Sequence, residues 1–109
     1  MTTLEILEAG RARIEKGWCQ GHYALTAESE IPLSATGPPA AWCAIGALID
    51  VQSRPFPREA DNFLEAAVME WSGYANVLRW NDEPGRTQAD VLALYDRAIA
   101  KAKAAEAGR

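Results

Sequence analysis

The sequence predicts one mostly α-helical domain, a compact bundle of about four helices around a central apolar helix. Apolar residues recur at helical spacing in several segments. The segment Ala40–Ile49 is apolar on every side, as expected of a helix covered by its neighbours. A chain of 109 residues is long enough for one hydrophobic core. We therefore expect a single domain over residues 1–109, with a frayed, Ala/Lys-rich tail over about 100–109.

The first helix is predicted over Thr2–Lys16. Its first residue and Glu5 have the spacing of a capping box, in which each side chain satisfies a free backbone N–H of the other residue. Arg11 falls within the apolar stripe, where it either extends from the edge or turns inward to pair with a carboxylate such as Asp82. Gly17 predicts a left-handed helix end.

A non-helical segment follows the first helix. Gln20–Leu25 and Ile31–Leu33 flank a polar stretch, which is compatible with a minimal β-hairpin or an extended Ω-type loop. The prolines after Gly37 predict a break and then a helix start. The second helix is predicted over Ala40–Gln52, and its Gly46 indicates close approach of a neighbouring backbone.

Three further helical segments are predicted. A buried stripe of apolar residues indicates a helix over about Arg58–Trp71, which Gly73 ends. Tyr74–Trp80 is predicted to form one or two turns. The last helix starts at Thr87, which has capping spacing to Asp90.

Composition and charge exclude several classes of function. The net charge is −4 and the pI about 4.9. Binding to nucleic acid or to an anionic membrane needs clustered Lys/Arg, so we expect neither as a partner. The N-terminus lacks a basic-then-apolar leader pattern, and no apolar run is long enough to span a bilayer. Two cysteines do not form a disulfide framework. We expect a cytoplasmic protein with reduced thiols.

The segment Trp80–Thr87, here called the polar corner, concentrates the polar candidates. Asn81, Asp82 and Arg86 lie between an indole and a helix cap at Thr87, around a Pro-Gly turn. One interpretation is a structural corner in which Asp82 accepts backbone N–H groups or pairs with Arg86. The other is that the amide, the carboxylate and the helix N-terminus converge on a ligand.

Cys43 and His22 are the candidates for catalysis. A thiol near the start of a helix has its pKa lowered by the helix dipole, and cysteine hydrolases combine such a thiol with a histidine base. Against this interpretation, Cys43 stands in an apolar run and no Gly-rich oxyanion element is present. A zinc site would need Cys19, His22, Cys43 and Asp82, but no second metal-binding pair follows, so we expect no metal and no cofactor.

Three phrases together resemble a known family. They are Gly17-Trp18-x-Gln20-Gly21, Cys43-x-x-Gly46-Ala47, and Trp80-Asn81-Asp82 followed by Arg86-Thr87. This set is similar to a bacterial and phage family of small proteins, the domain-of-unknown-function family numbered 6197. The resemblance covers nearly the whole chain and implies a compact helical domain without established chemistry. His22 and Cys19 lie outside the family pattern.

The sequence favours a small, non-enzymatic binding module for an unknown protein or small ligand. Its expected surface combines Gln20, the start of the second helix and the polar corner, with Asn81, Asp82, Arg86 and Thr87 as binding residues. One alternative is a cysteine-dependent hydrolase or transferase that uses Cys43 with His22. Another is a structural subunit of a homodimer or larger homo-oligomer.

Overall fold

The computed structural model describes residues 1–108, and within them the predicted mostly helical fold is confirmed. Five helices and a small antiparallel sheet make up this part of the chain. The helices are α1 (Thr3–Lys16), α2 (Ala44–Val51), α3 (Arg58–Ser72), α4 (Val77–Asn81) and α5 (Gln88–Ala107), and the strands are β1 (Ala24–Leu25) and β2 (Ala41–Trp42).

The hydrophobic core lies between α1, α3 and α5, with α2 against them. Helix α5 packs along both α1 and α3, and α2 contacts α1, α3, α4 and β2. The first five residues of α2 are buried, which agrees with the prediction of a covered, central helix. Among residues 1–108, no helix is both long enough and apolar enough to cross a membrane.

Helix α1 begins as predicted but ends for a different reason. Thr2 and Glu5 form the predicted capping box. The prediction of a left-handed residue at Gly17 is wrong, because its φ of −176° is extended. Glycine is needed there for space, since a Cβ would lie 2.2 Å from the carbonyl oxygen of Ala40. Arg11 pairs with Asp96 and Glu15 at the surface and not with Asp82.

The second helix starts later than predicted, at Ala44. Ala41–Trp42 forms β2 and pairs with Ala24–Leu25. The partner strand is therefore not Ile31–Leu33, and the prolines before Ala41 do not begin a helix. The backbone of Trp42 also bonds to the chain after α1, since its N–H donates to Gly17 and its carbonyl accepts from Cys19. These backbone bonds across the chain outweigh the helical preference of an apolar, alanine-rich run.

The ends of α3 and the start of α5 follow the sequence closely, whereas α4 begins at Val77 instead of the predicted Tyr74 and α5 ends later than predicted. Gly73 has φ 84° and ends α3 in the left-handed conformation. Thr87 and Asp90 form the predicted capping box of α5. This helix continues to Ala107, whereas the sequence predicts fraying from about residue 100. Ala102 is buried and Lys101 pairs with Glu70 at 2.8 Å, so the last turns are tied to α3.

Candidate functional site

The Asn81 side chain lies at the centre of the polar corner and is completely buried. Its Oδ1 accepts hydrogen bonds from Trp18 Nε1 at 2.8 Å and from the backbone N–H of Ala44 at 3.0 Å. Its Nδ2 donates to the carbonyl of Cys19 at 3.1 Å and to Asp82 Oδ1 at 3.0 Å. These four bonds use the whole capacity of a primary amide, so no polar atom of Asn81 is left for a ligand.

Gln20 and Asp82 bind the loop after α1 to the end of α4. Gln20 Nε2 donates to the carbonyls of Asn81 and Glu83 at 3.0 and 2.9 Å. Asp82 Oδ1 accepts from the backbone N–H of Gly21 at 2.9 Å. The first and third family phrases therefore lie in contact, because Gln20 and Gly21 of the first form hydrogen bonds with Asn81 and Asp82 of the third.

Arg86 and Thr87 have packing and capping contacts. The Nε of Arg86 donates to the carbonyl of Trp80 at 2.8 Å, and its guanidinium lies 4.0 Å from the centre of the Trp80 ring. Its Nη1 lies 4.0 Å from Asp90, and no ion pair joins Arg86 to Asp82 within residues 1–108. Thr87 caps α5. The buried ring of Trp80 is part of the core, as the sequence predicts.

An open cleft adjoins the polar corner, between the loop after α1 and helix α4. We call it the loop–α4 cleft, and its volume is about 580 Å³. Its apolar wall is formed by Tyr23, Ala24, Ile31, Pro32 and Leu78, and its polar groups belong to His22, Cys43 and Asp82. The sequence predicts that Val77 and Leu78 both anchor this segment, but only Val77 is buried, and Leu78 is 40% exposed.

The loop–α4 cleft brings together both residues proposed for catalysis, Cys43 and His22. The Cys43 side chain is 1% exposed, and its Sγ accepts the N–H of Gly46 at 3.3 Å as a cap of α2. Burial raises the pKa of this thiol, opposite to the lowering expected from its helix position. Burial also raises the pKa of Cys19 to about 11. Among the described residues, no hydrogen bond joins His22 to the thiol of Cys43.

A second cleft, here called the α3–α4 cleft, lies on the other side of Tyr23 and Leu78. Its volume is about 400 Å³. Its apolar surface includes Ile45, Ile49 and Phe56, and Asp61 and Glu65 of α3 contribute carboxylates. Sequence reasoning missed this cleft. The available signal was two acidic residues four positions apart, next to the buried stripe of α3.

The carboxyl group of Asp61 is unusual among the acidic groups. Its Oδ1 is buried and has no hydrogen-bond partner within residues 1–108. Burial, and next the neighbouring Glu65 carboxylate, raise the pKa of Asp61 to about 6, and Arg58 opposes this only in part.

No metal centre is formed within the described part of the chain. No three His, Cys, Asp or Glu side chains in residues 1–108 are grouped so that they could hold an ion. The Cys19 thiol instead donates to the carbonyl of His22 at 3.5 Å, and Asp82 is engaged by Gly21 and Asn81.

Comparison with known proteins supports the resemblance found in the sequence. No curated protein and no solved structure matches the chain. The model of a family of unknown function, DUF6197, matches residues 1–101. This range contains all three phrases and all the elements that form the polar corner and the two clefts. Because the match covers nearly the whole chain, the protein belongs to the family of unknown function DUF6197.

Proposed function

We propose that this domain is a small, non-enzymatic binding module that docks an apolar segment of another protein in the loop–α4 cleft. The observation that carries the proposal is an open cleft of about 580 Å³ with exposed apolar walls, within the size range of ligand sites. Tyr23, Ile31 and Leu78 are 55%, 50% and 40% exposed there. Contiguous exposed apolar side chains of this kind are typical of interaction surfaces.

The polar corner and Gln20 support this function by holding the segments around the cleft in place, and we call this hydrogen-bonded group the frame. Gln20 and Asn81 hold the loop after α1 against α4, and Thr87 and Arg86 fix the start of α5 behind it. Asp82 belongs to the frame through its Oδ1 and also lines the cleft, and no hydrogen bond within residues 1–108 uses its Oδ2, which can meet a partner. Of the five binding residues expected from the sequence, we therefore propose direct contact for Asp82 and positioning for the others.

We also propose that the module acts in the cytoplasm of bacteria or phage-infected cells. Support for this location comes from Cys19 and Cys43, which are both free, as is usual in a reducing compartment. The bacterial or phage source is inferred from the family resemblance. The acidic net charge of −4 disfavours nucleic acid as the partner.

Peptide selection with a matched pair of variants tests the docking function. Peptides of 12 residues are selected from a random phage-displayed library against the wild-type protein, and their affinities are measured by fluorescence anisotropy. Leu78→Gln is expected to weaken the selected peptides about fivefold, because a partly buried leucine contributes about 1 kcal/mol. Met69→Gln alters an apolar side chain that is 46% exposed outside both clefts, and it is expected to leave affinity unchanged.

Equal binding to wild type and Leu78→Gln would contradict docking in the loop–α4 cleft. The same would follow if the library yields no peptide that binds above background. Thermal unfolding of both variants shows whether a lost affinity reflects a lost fold.

The cysteine-enzyme alternative has one observation in its favour, since Cys43 and His22 line the same cleft. Thiol labelling separates it from the binding module. We expect iodoacetamide at pH 7.5 to alkylate native Cys43 about 100-fold more slowly than the denatured chain, because a buried neutral thiol reacts only after local opening. A Ser53→Cys variant supplies an exposed control thiol. Labelling of Cys43 as fast as this control, and slowed by His22→Ala, would favour the enzyme.

A further inference from the structure

The two clefts are adjacent. Tyr23 and Leu78 line both the loop–α4 cleft and the α3–α4 cleft, so these two side chains lie at the boundary that the clefts share, and we call the two clefts together the groove. Phe56, which is 39% exposed, and Ile31 extend the apolar surface into opposite clefts. Four of the large apolar side chains that the described residues expose therefore lie along this groove.

The charged groups along the groove have one sign. Asp82 faces the loop–α4 cleft, and Asp61 and Glu65 face the α3–α4 cleft. Within the described residues, neither lining contains a lysine or an arginine. The buried Oδ1 of Asp61 also lacks a donor. A groove whose lining has apolar walls and carboxylates but no basic side chain is complementary to a partner that carries both apolar and cationic side chains.

We propose that the occupant of the groove is a cationic amphipathic segment of another protein that lies across both clefts. Its apolar side chains pack on Tyr23 and Leu78, and its lysine or arginine side chains reach the carboxylates at the two ends, Asp82 in one cleft and Asp61 with Glu65 in the other. This inference rests on the proposed function and adds the chemistry of the partner.

A second copy of this chain fits the groove poorly. Face-to-face pairing would bring Asp61, Glu65 and Asp82 of one copy towards the same carboxylates of the other, and each copy carries a net charge of −4. Like charges brought together at an interface oppose association. The same carboxylates would repel the phosphates of an anionic lipid surface.

The test uses peptides selected against the wild-type protein and a pair of double variants. We expect the selected peptides to be enriched in lysine and arginine. Asp61→Asn/Glu65→Gln is expected to weaken them about tenfold at low salt and less at 0.5 M NaCl, because salt screens the lost attraction. The control Glu28→Gln/Glu30→Gln removes the same charge from exposed positions outside both linings. It is expected to change affinity less than twofold, because charges at a distance from the peptide attract it only weakly through the solvent.

Changes in the peptide provide an independent measurement. Replacing each arginine of a selected peptide by citrulline, which is neutral and nearly the same shape, and each lysine by acetyl-lysine is expected to weaken wild-type binding about tenfold. The same peptide changes are expected to matter less for Asp61→Asn/Glu65→Gln, because their carboxylate partners are already absent. A double-mutant comparison of this kind isolates the attraction between the two groups.

The outcomes distinguish this inference from the proposed function. Peptides that depend on Leu78 but show no enrichment in basic residues, and no response to either double variant, overturn the cationic partner and leave the docking function in place. Peptides that ignore Leu78→Gln overturn both. A concentration-dependent dimer in sedimentation that Leu78→Gln dissociates identifies a second copy as the occupant and also overturns the inference.

Discussion

Hydrogen bonds to neighbouring groups offset the cost of burying the Asn81 side chain. Its four hydrogen bonds join the end of α4 to two other segments, the loop after α1 and the start of α2, and also reach its own neighbour Asp82. A buried amide without partners costs several kcal/mol, whereas one with all its bonds formed is close to neutral and fixes the arrangement around it. This explains why an asparagine occupies the core between Trp80 and Asp82.

Replacing Asn81 by alanine is expected to lower the free energy of unfolding by about 3 kcal/mol, because it leaves buried donors and an acceptor unsatisfied. Urea denaturation followed by tryptophan fluorescence measures the change. Asn62→Ala alters an exposed asparagine of α3 and is expected to change stability by less than about 0.5 kcal/mol. A loss below 1 kcal/mol at Asn81 would show that the polar corner is not what holds these segments together.

Asp61 gives the protein a specific dependence on pH. Its pKa is raised from 3.8 to about 6, so the folded state binds this proton more tightly than the unfolded chain does. The contribution to stability is therefore greatest below about pH 4 and is lost as the pH rises to about 6. Because the group is only partly buried, the loss at neutral pH is about 1 kcal/mol after allowance for solvent screening.

The variant Asp61→Asn tests this dependence, because it keeps the shape and removes the ionisation. It is expected to melt a few degrees higher than wild type at pH 7.5, while the difference disappears near pH 4. Thermal unfolding by circular dichroism at both pH values measures it, with Glu28→Gln as the exposed control. The same difference in melting temperature at both pH values would contradict the assignment to Asp61.

The loop after α1 packs closely against helix α2, and this contact shapes the two clefts. A Cβ on Gly46 would lie 1.8 Å from the carbonyl oxygen of Tyr23. That carbonyl is held in place because it accepts the backbone N–H of Cys43 at 3.0 Å. The close approach predicted from Gly46 is therefore present, and it positions Tyr23 between the two clefts.

Gly46→Ala is expected to destabilise the protein by about 3 kcal/mol or more, although alanine is the better helix former. The reason is that the backbones at Gly46 and Tyr23 cannot move apart to make room for the Cβ without breaking hydrogen bonds. Gly85→Ala provides a contrast. Gly85 has φ 87° and open space around it, so only conformational strain of about 1 kcal/mol is expected. Urea denaturation ranks the two variants. Equal losses would mean that the contact between Gly46 and Tyr23 yields easily.

At the scale of the whole molecule, one core connects the five helices of residues 1–108. Buried residues from α1, α2, α3, α4 and α5 belong to a single cluster. No element within residues 1–108 has a separate core, so we expect the chain to unfold as one cooperative unit.

Coincident transitions by tryptophan fluorescence and far-UV circular dichroism are expected in urea, together with a calorimetric enthalpy equal to the van't Hoff enthalpy. Asn81→Ala shifts the midpoint without separating the two signals. An early fluorescence transition would instead indicate that the polar corner, which contains Trp80 and binds Trp18, opens before the helices.

The sequence by itself determined where most helices lie. The capping boxes at Thr2 and Thr87 and the stop at Gly73 are local, because each depends on residues within about one turn of the helix. The family phrases also identified Asn81, Asp82 and Gln20 as special. A structural corner in which Asp82 accepts backbone N–H groups was one interpretation of the sequence, but the partners could not be identified, since they lie about sixty positions away, as with Trp18 and Asn81 or Gly21 and Asp82.

Only the tertiary structure decided the late start of α2, the pairing of Ala24–Leu25 with Ala41–Trp42, and the groove along Tyr23 and Leu78. Each depends on contacts between segments distant in sequence, and local propensity carries no information about them. A helical pattern also cannot show which apolar residue a neighbouring element leaves uncovered. Leu78 and Val77 are adjacent and similar in character, and packing alone makes one of them surface and the other core.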